Sequence, residues 1–499
     1  MSSWLSEERL EKWLQTLWGL MLFTMPVTSF RWLPDVLGKT HVRPLAFYPM
    51  ALAVIVLIVY LWKTKSFRWP SQTAPLVGFL LVALISTLVG LFYAPLDLRG
   101  KTYWVWAVRA WLSLGVGMGF FWVSVFLSRS EDFLRKSLPW LYAGLAATIV
   151  WGGIQGISLH TSLIDANYVS KIQEAFSLRG LKAPRISGFA YEPSWLADQI
   201  TILYFPWLFA SLLTRVRISR YRWLEPALAV GAIGLLLLSF SRSGVIGLIV
   251  SVMVALLTVG RGVLVGIWSW FWGPFVSPEI PGRWNRIVLL LFVVLALLAA
   301  FMWLDSFDYF ANLWRTSLSD GLEAYVRSIA AAARTAYIQA GIDIFNLHPW
   351  LGVGLGGSSF YLFDHLPQWA FGVPYEIALQ FSPDSNEIPN VRNLIIRLLS
   401  ETGIIGFWFY MAFNISILGS IRKMFLSRKK LMVFASVAGL TAWPAIILRQ
   451  FTLSTLTAPV IWVTLGMVVG YAHHVLDVPE KPISLDKSTV PDQLEMTKE

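Results

Sequence analysis

The sequence has no cysteine, and that absence excludes structural disulfides, thiol nucleophiles and thiolate metal sites. Charge is scarce as well, at 14% of 499 residues, and histidine occurs six times. The loops contain no HExxH pair, Walker loop or Asp-rich metal pattern, so neither a metal ion nor any other cofactor is expected. What the chain has in excess is apolar surface: 56% hydrophobic residues, 15% aromatic and a mean hydropathy of +0.61. A soluble domain does not carry such a composition, and a polytopic membrane protein does. The formal net charge of +11 then marks loops on the cytoplasmic side rather than a nucleic-acid partner.

Apolar runs able to cross about 30 Å of hydrocarbon lie at 14–30, 45–62, 75–93, 104–127, 138–158, 193–214, 224–240, 243–258, 286–304, 393–420, 431–451 and 457–476. The expected fold is therefore all-α, with about twelve transmembrane helices. Under that count Lys63, Lys65 and Arg68, then Arg129, Arg135 and Lys136, then Arg215 to Arg222, and finally Arg422 to Lys430 share one side, which is cytoplasmic together with both termini. The opening stretch MSSWLSEERLEKWLQTLWG is acidic and amphipathic, which does not fit a cleavable signal peptide. Four regions follow: helices one to nine over 1–304, with a smaller outer loop at about 158–191; a large outer loop at 305–392; helices ten to twelve over 393–477; and a polar tail at 478–499, expected to be disordered. Within the large loop, Leu322 to Phe345 is Ala-rich with apolar residues at helical spacing, and His348-Pro349 ends it. Ile267 to Trp272, between helices eight and nine, is an aromatic cluster expected at a membrane interface.

Polar chemistry gathers on the outer side in four places. Arg185 to Ser194 runs into a helix whose first turn holds Pro193. Acidic Glu192 suits a helix start, and it also suits a base or a sugar-hydroxyl ligand, with Arg185 on phosphate. Ser239 to Gly244 places Arg242 in a short corner between two apolar runs, as a snorkelling arginine or as an anion ligand beside hydroxyls and glycine. Arg327 and Arg334 lie on the loop helix, facing solvent or clamping phosphate; His348 is a helix cap or a base. In Arg392 to Gly403, charges enter an apolar segment at about 2.5 to 3.5 kcal/mol each at a helix centre. There Asn393, Arg397 and Glu401 share a helical face, with Arg397 and Glu401 spaced to pair, while Arg392 sits at the outer boundary.

Three pieces, Ser239-Phe240-Ser241-Arg242-Ser243-Gly244-Val245-Ile246-Gly247, Arg334 through His348-Pro349-Trp350-Leu351-Gly352-Val353-Gly354, and Arg392-Asn393 through Glu401-Thr402-Gly403-Ile404-Ile405-Gly406, in this order around one large outer loop, resemble the O-antigen polymerase and O-antigen ligase superfamily of bacterial membrane glycosyltransferases. The resemblance covers roughly residues 180 to 420. It implies a C-type glycosyltransferase-like (GT-C-like) fold in the bacterial inner membrane, a periplasmic active site, and an undecaprenyl-diphosphate-linked oligosaccharide as donor, with no metal. It implies catalytic roles for Glu192, Arg242 and Arg392, and diphosphate or glycan contacts from Arg185, Arg327, Arg334, His348 and Asn393. The expected partners are the lipid-linked donor, the bilayer and a chain-length regulator. Ligases of the family commonly show His-Asn where this chain has Arg392-Asn393, and arginine is no general base at ordinary pH. The departure favours a polymerase over a ligase. A transporter or flippase is the alternative of another class, since intramembrane charges also mark transport paths.

Overall fold

A computed structural model describes residues 6–477 except 34–39, 65–68, 96, 99, 130, 277–281, 373–375, 383–388, 428 and, within 316–330, all but Gly321, Tyr325 and Arg327. Among the described residues the chain is helical, with isolated bridges and no strand. Helices form at each of the twelve apolar runs. Among the described residues, seven helical spans are long and apolar enough to cross a membrane, and eight if one bent pair counts as a single span. The count of twelve crossings is thus not reached by this measure. Leu224–Leu238 and Pro459–His473 are apolar but short, and the first helix carries three glutamates and a lysine among its charges.

The elements are α1 (Glu7–Thr24), α2 (Phe47–Thr64), α3 (Ala74–Gly90), α4 (Tyr103–Leu127), α5 (Glu131–His160), α6 (Ala166–Phe176), α7 (Pro193–Asp198), α8 (Phe205–Thr214), α9 (Leu224–Leu238), α10 (Arg242–Thr258), α11 (Arg261–Val276), α12 (Arg283–Asp305), α13 (Asp308–Arg315), α14 (Ala332–Leu347), α15 (Glu376–Phe381), α16 (Leu394–Phe425), α17 (Lys430–Gln450) and α18 (Pro459–Asp477). One core runs through the bundle: α18 packs on α4, α16 on α3, α1 on α2 and α5, and α17 on α8, α10 and α16. Glycines let these helices meet closely. A Cβ at Gly466 or Gly470 of α18 would strike the α4 backbone at Phe121 or Val125, the close approach that small residues give membrane helices.

Two departures from regular helix position the polar groups. The sixth run is α7 and α8 joined by a π-helical stretch, Gln199–Tyr204, an interruption that recurs at functional sites. The aromatic run Ile267 to Trp272, expected as a connecting anchor, is part of helix α11, which bends 88° from α10. Its Trp268 and Trp270 are exposed, as on a helix lying along an interface.

The large loop has its own small core, in which Ala336, Tyr337, Ala340 and Ile344 of α14 pack with Val353, Leu362 and Val391. The helix expected at Leu322 to Phe345 is described from Ala332 to Leu347, with most of its first part outside the described residues. The expected tail at 478–499 lies outside them too.

Candidate functional site

Glu192 is the N-cap of α7, with Pro193 as the first helical residue, where proline's missing N–H costs nothing and its φ already suits a helix. The Glu192 side chain makes no cap bond. Its carboxylate is held instead by Arg179 at 3.2 Å and accepts from the Ser194 hydroxyl at 3.3 Å. Arg179 lies 5.4 Å from the Tyr191 ring centre, and Tyr191 stacks on His41 at 4.8 Å and leans on Trp195 at 5.4 Å. The result is an anchored carboxylate beside an aromatic platform. Buried Gln155 organises the turn before it, since its Oε1 accepts from the Ser187 and Gly188 amides at 3.1 and 2.8 Å.

The Ser239 to Gly244 corner closes on this turn. Arg185 Nε donates to the Ser239 carbonyl at 3.0 Å, and the Ile186 amide donates to the Leu238 carbonyl at 3.2 Å. Ser241 caps α10 by accepting from the Gly244 amide at 3.3 Å. A Cβ at Gly244 would collide with the Ala197 side chain, so the glycine lets the start of α10 touch α7. Arg242 is thereby the first residue of a helix whose N-terminus favours anions. Arg185, given a phosphate role by the resemblance, serves here as the strap between loop and corner.

From the large loop, α14 brings Arg334 exposed on its surface and Tyr337 buried beneath it. The Arg392 guanidinium lies 5.4 Å from the Tyr337 ring centre. Arg392 has φ +54°, and its amide donates to Asn390 Oδ1 at 3.0 Å. Burial pushes the Arg392 pKa down from its ordinary value; Tyr337 acts against that shift, Arg334 adds to it, and Glu192 opposes it. Arg334, Arg392, Tyr337 and Glu192 therefore share one electrostatic neighbourhood, although they come from two loops. Asn393, placed among the glycan contacts by the resemblance, caps α16 by accepting from the Ile396 amide at 3.1 Å.

Two further expected residues stand elsewhere. Arg327 donates to the Trp369 carbonyl at 3.2 Å, which ties it to the loop's own surface. His348 is the C-cap of α14 and stacks on Tyr93 at 4.6 Å. Fourteen helical steps of 1.5 Å put it about 21 Å from Arg334, and the structure does not bring it to the arginines.

Beyond His348, the glycine-bearing turn docks into a break in α16. Gly403 has φ +63° inside that helix, which frees backbone groups that the turn then satisfies. The Val353 and Gly354 amides donate to the Ser400 and Glu401 carbonyls at 2.9 Å each, and the Ile404 amide donates to the Pro349 carbonyl at 2.8 Å. Irregular backbone at membrane depth persists where protein supplies its hydrogen bonds. Arg397 and Glu401 pair at 3.1 Å, as their spacing predicts, and Glu401 also accepts from the Ser358 hydroxyl at 2.7 Å. This pair holds the loop to the bundle.

Sequence reasoning missed Asp198 and Arg449. They form an ion pair at 2.7 Å with side chains 12% and 8% exposed, at the start of the π-helical stretch and the end of α17. Neighbouring Gln199 donates to the Met25 and Pro26 carbonyls at 3.1 and 3.0 Å. The available signal was the one applied at Arg392: a charge inside an apolar run.

Residues 227–411 match the family model described as O-antigen ligase. No curated protein matches the chain. The matched segment holds Arg242, Arg334, Arg392 and the Arg397–Glu401 pair, whereas Glu192, Asp198 and Arg449 lie outside it. With several apolar membrane-length helices, this supports a multi-pass membrane protein with a ligase- or polymerase-type role in O-antigen assembly.

Proposed function

We propose, for a chain that carries an O-antigen ligase family domain and so belongs with the O-antigen ligase and polymerase superfamily, that it is a polysaccharide polymerase of the bacterial inner membrane, acting at the periplasmic face. It transfers a growing glycan from undecaprenyl diphosphate to a hydroxyl of an incoming lipid-linked repeat unit. The observation that carries this reading is that Arg334 and Glu192 both act electrostatically on Arg392, whose guanidinium lies over Tyr337. Two cations and one carboxylate are what a displacement at an anomeric carbon needs when the leaving group is a diphosphate.

In that reaction the acceptor oxygen attacks the anomeric carbon, and the bond from that carbon to the diphosphate oxygen breaks. The hydroxyl proton passes to Glu192, whose position Arg179 and Ser194 fix. Arg334 and Arg392 neutralise the charge that develops on the departing diphosphate, with Arg242 at the start of α10 adding a third cation. No metal is needed when guanidinium groups take that charge. The Tyr191, His41 and Trp195 rings give sugar faces an apolar surface beside the carboxylate. Asp198 and Arg449 lie below the site and keep the interrupted helix in place.

A ligase is the second reading, favoured by the description of the matched family. Arginine at position 392 speaks against it, because the histidine associated with acceptor activation in ligases is missing there. Products separate the two. Loss of a polymerase leaves single lipid-linked repeats to accumulate, and loss of a ligase leaves lipid-linked polymer. Arg242→Ala and Arg334→Ala are expected to abolish chain extension in membranes that still contain folded protein; polymer of normal length from both would refute the assignment.

A further inference from the structure

The span Pro193–Thr214, which begins beside Glu192, ends on the connection Arg215-Val216-Arg217-Ile218-Ser219-Arg220-Tyr221-Arg222-Trp223 that leads into α9. Its 22 residues cover about 33 Å, more than a hydrocarbon core of about 30 Å. The connection therefore lies on the membrane face opposite Glu192. Asp198 meets Arg449, and the Trp207 ring lies 5.6 Å from that of Phe434. Thus α17 runs antiparallel to α8 and starts at this same face, with Lys429 and Lys430 exposed there.

The connection has a fixed backbone. Val216 and Ile218 pack on the core, while Arg215, Arg217, Arg220 and Arg222 are all exposed. The Ser211 hydroxyl donates to the Val216 carbonyl. Glu225 is 2% exposed, and its Oε1 accepts from the Ile218 and Ser219 amides at 3.1 and 2.7 Å. Ser219 Oγ then accepts from the Tyr221 amide at 3.0 Å. Arg215 has φ +56°, a region that non-glycine residues seldom occupy. A loop that only had to carry positive charge would need none of these constraints. Among the described residues, none of the four guanidiniums has an ion pair or a hydrogen bond.

Depth decides what meets them. Headgroups occupy about 5 to 8 Å on each side of the hydrocarbon, and a backbone held against the end of the bundle keeps its arginines in that layer. Tyr221 and Trp223 are exposed with ring centres 6.2 Å apart, and such rings also settle at headgroup level. An acidic protein would have to enter this layer, whereas a lipid phosphate is already in it. We infer that the connection at 215–223 is a docking surface for anionic phospholipid headgroups, which anchors the far end of the interrupted span that starts at Glu192. This goes beyond the polymerase reading and does not depend on it.

The test is native mass spectrometry of the full-length protein in detergent with equal amounts of dioleoyl phosphatidylglycerol and dioleoyl phosphatidylcholine. Wild type is expected to retain phosphatidylglycerol preferentially and to lose the preference at high salt. Arg217→Gln and Arg220→Gln each lower it about fivefold, and the two lysine variants keep most of it. Arg422→Gln with Lys423→Gln, on α16 at the same face, leaves most of it too. Glu225→Ala separates fixed geometry from bulk charge. Removing a negative charge raises retention if only net charge matters, and loss of the pinned backbone lowers it if this connection is the site. The exposed arginine variants decide the matter if Glu225→Ala does not fold. Equal retention of the two lipids, an undiminished preference in folded Arg217→Gln with Arg220→Gln, or higher retention by Glu225→Ala would overturn the inference. So would full competition by glycerol 1-phosphate, which would make the ligand a soluble phosphate. Polyglutamate bound in place of lipid through the same arginines would make it an acidic protein.

Discussion

Asp198 and Arg449 meet at 2.7 Å in a nearly dry setting, and they join the interrupted helix that begins at Glu192 to the end of α17. Arg449 also donates to the Thr452 hydroxyl at 2.8 Å. Breaking one side of such a pair leaves a buried charge uncompensated, at about 3 to 5 kcal/mol. Asp198→Asn and Arg449→Gln should each lower the melting temperature of the detergent-purified protein, and the double variant should recover a large share of that loss. Additive losses in a thermal melt followed by size-exclusion chromatography would show that the two side chains act separately.

The arginines over the loop make a different prediction, one of rate rather than stability. Arg334 is exposed and Arg392 lies over an aromatic ring, so neither holds up the core. Arg334→Ala and Arg392→Ala should each lower glycan transfer by about 10²- to 10³-fold, the range for removing one donor to a developing negative charge. Melting temperatures should stay near that of wild type. Arg392→Lys should restore part of the rate, because an ammonium keeps the charge and loses the two-pronged geometry.

At Gly403 the expected effect is structural. Its φ of +63° and the closeness of the Trp350 carbonyl leave no room for a Cβ. Gly403→Ala should undock the turn at 349–354 from α16 and expose the large loop to protease, as should Gly352→Ala, whose φ is +69° and whose Cβ would meet the Ser400 carbonyl. Glycine at φ > 0 is replaced only with strain. Limited proteolysis of membrane vesicles reads this directly, and unchanged cleavage of both variants would contradict the docking.

Glu401 supplies the fourth prediction. It receives both Arg397 and Ser358, so Glu401→Gln leaves Arg397 without its countercharge in a mostly buried place. Folded yield should fall more for Glu401→Gln than for Ser358→Ala, which removes a single hydrogen bond worth about 1.5 to 3 kcal/mol to a charged group. The reverse order would assign the loop's anchorage to the hydroxyl.

Much of this site could be read from residue order. Proline after Glu192 announces a helix start, and the four-residue step from Arg397 to Glu401 announces a pair. Each is a local rule, and each holds in the structure. What local rules do not carry is partnership between distant segments. Nothing near Asp198 points to Arg449, and nothing near His348 points to Tyr93, on which its ring stacks. The π-helical turn at Gln199–Tyr204 and the break at Gly403 are set by the segments that pack against them, which a hydropathy run does not report. The span count diverged for a similar reason, since hydropathy reports an apolar run and not the length of helix it forms, and among the described residues Leu224–Leu238 and Pro459–His473 are apolar but short.

The most direct measurement mixes purified protein with undecaprenyl-diphosphate-linked repeat units in a metal-free buffer and resolves the products by mass. The polymerase account predicts a ladder of lipid-linked oligomers spaced by one repeat unit, absent with Arg334→Ala. Unextended repeats with wild type, together with transfer of preformed polymer to a different acceptor, would contradict it.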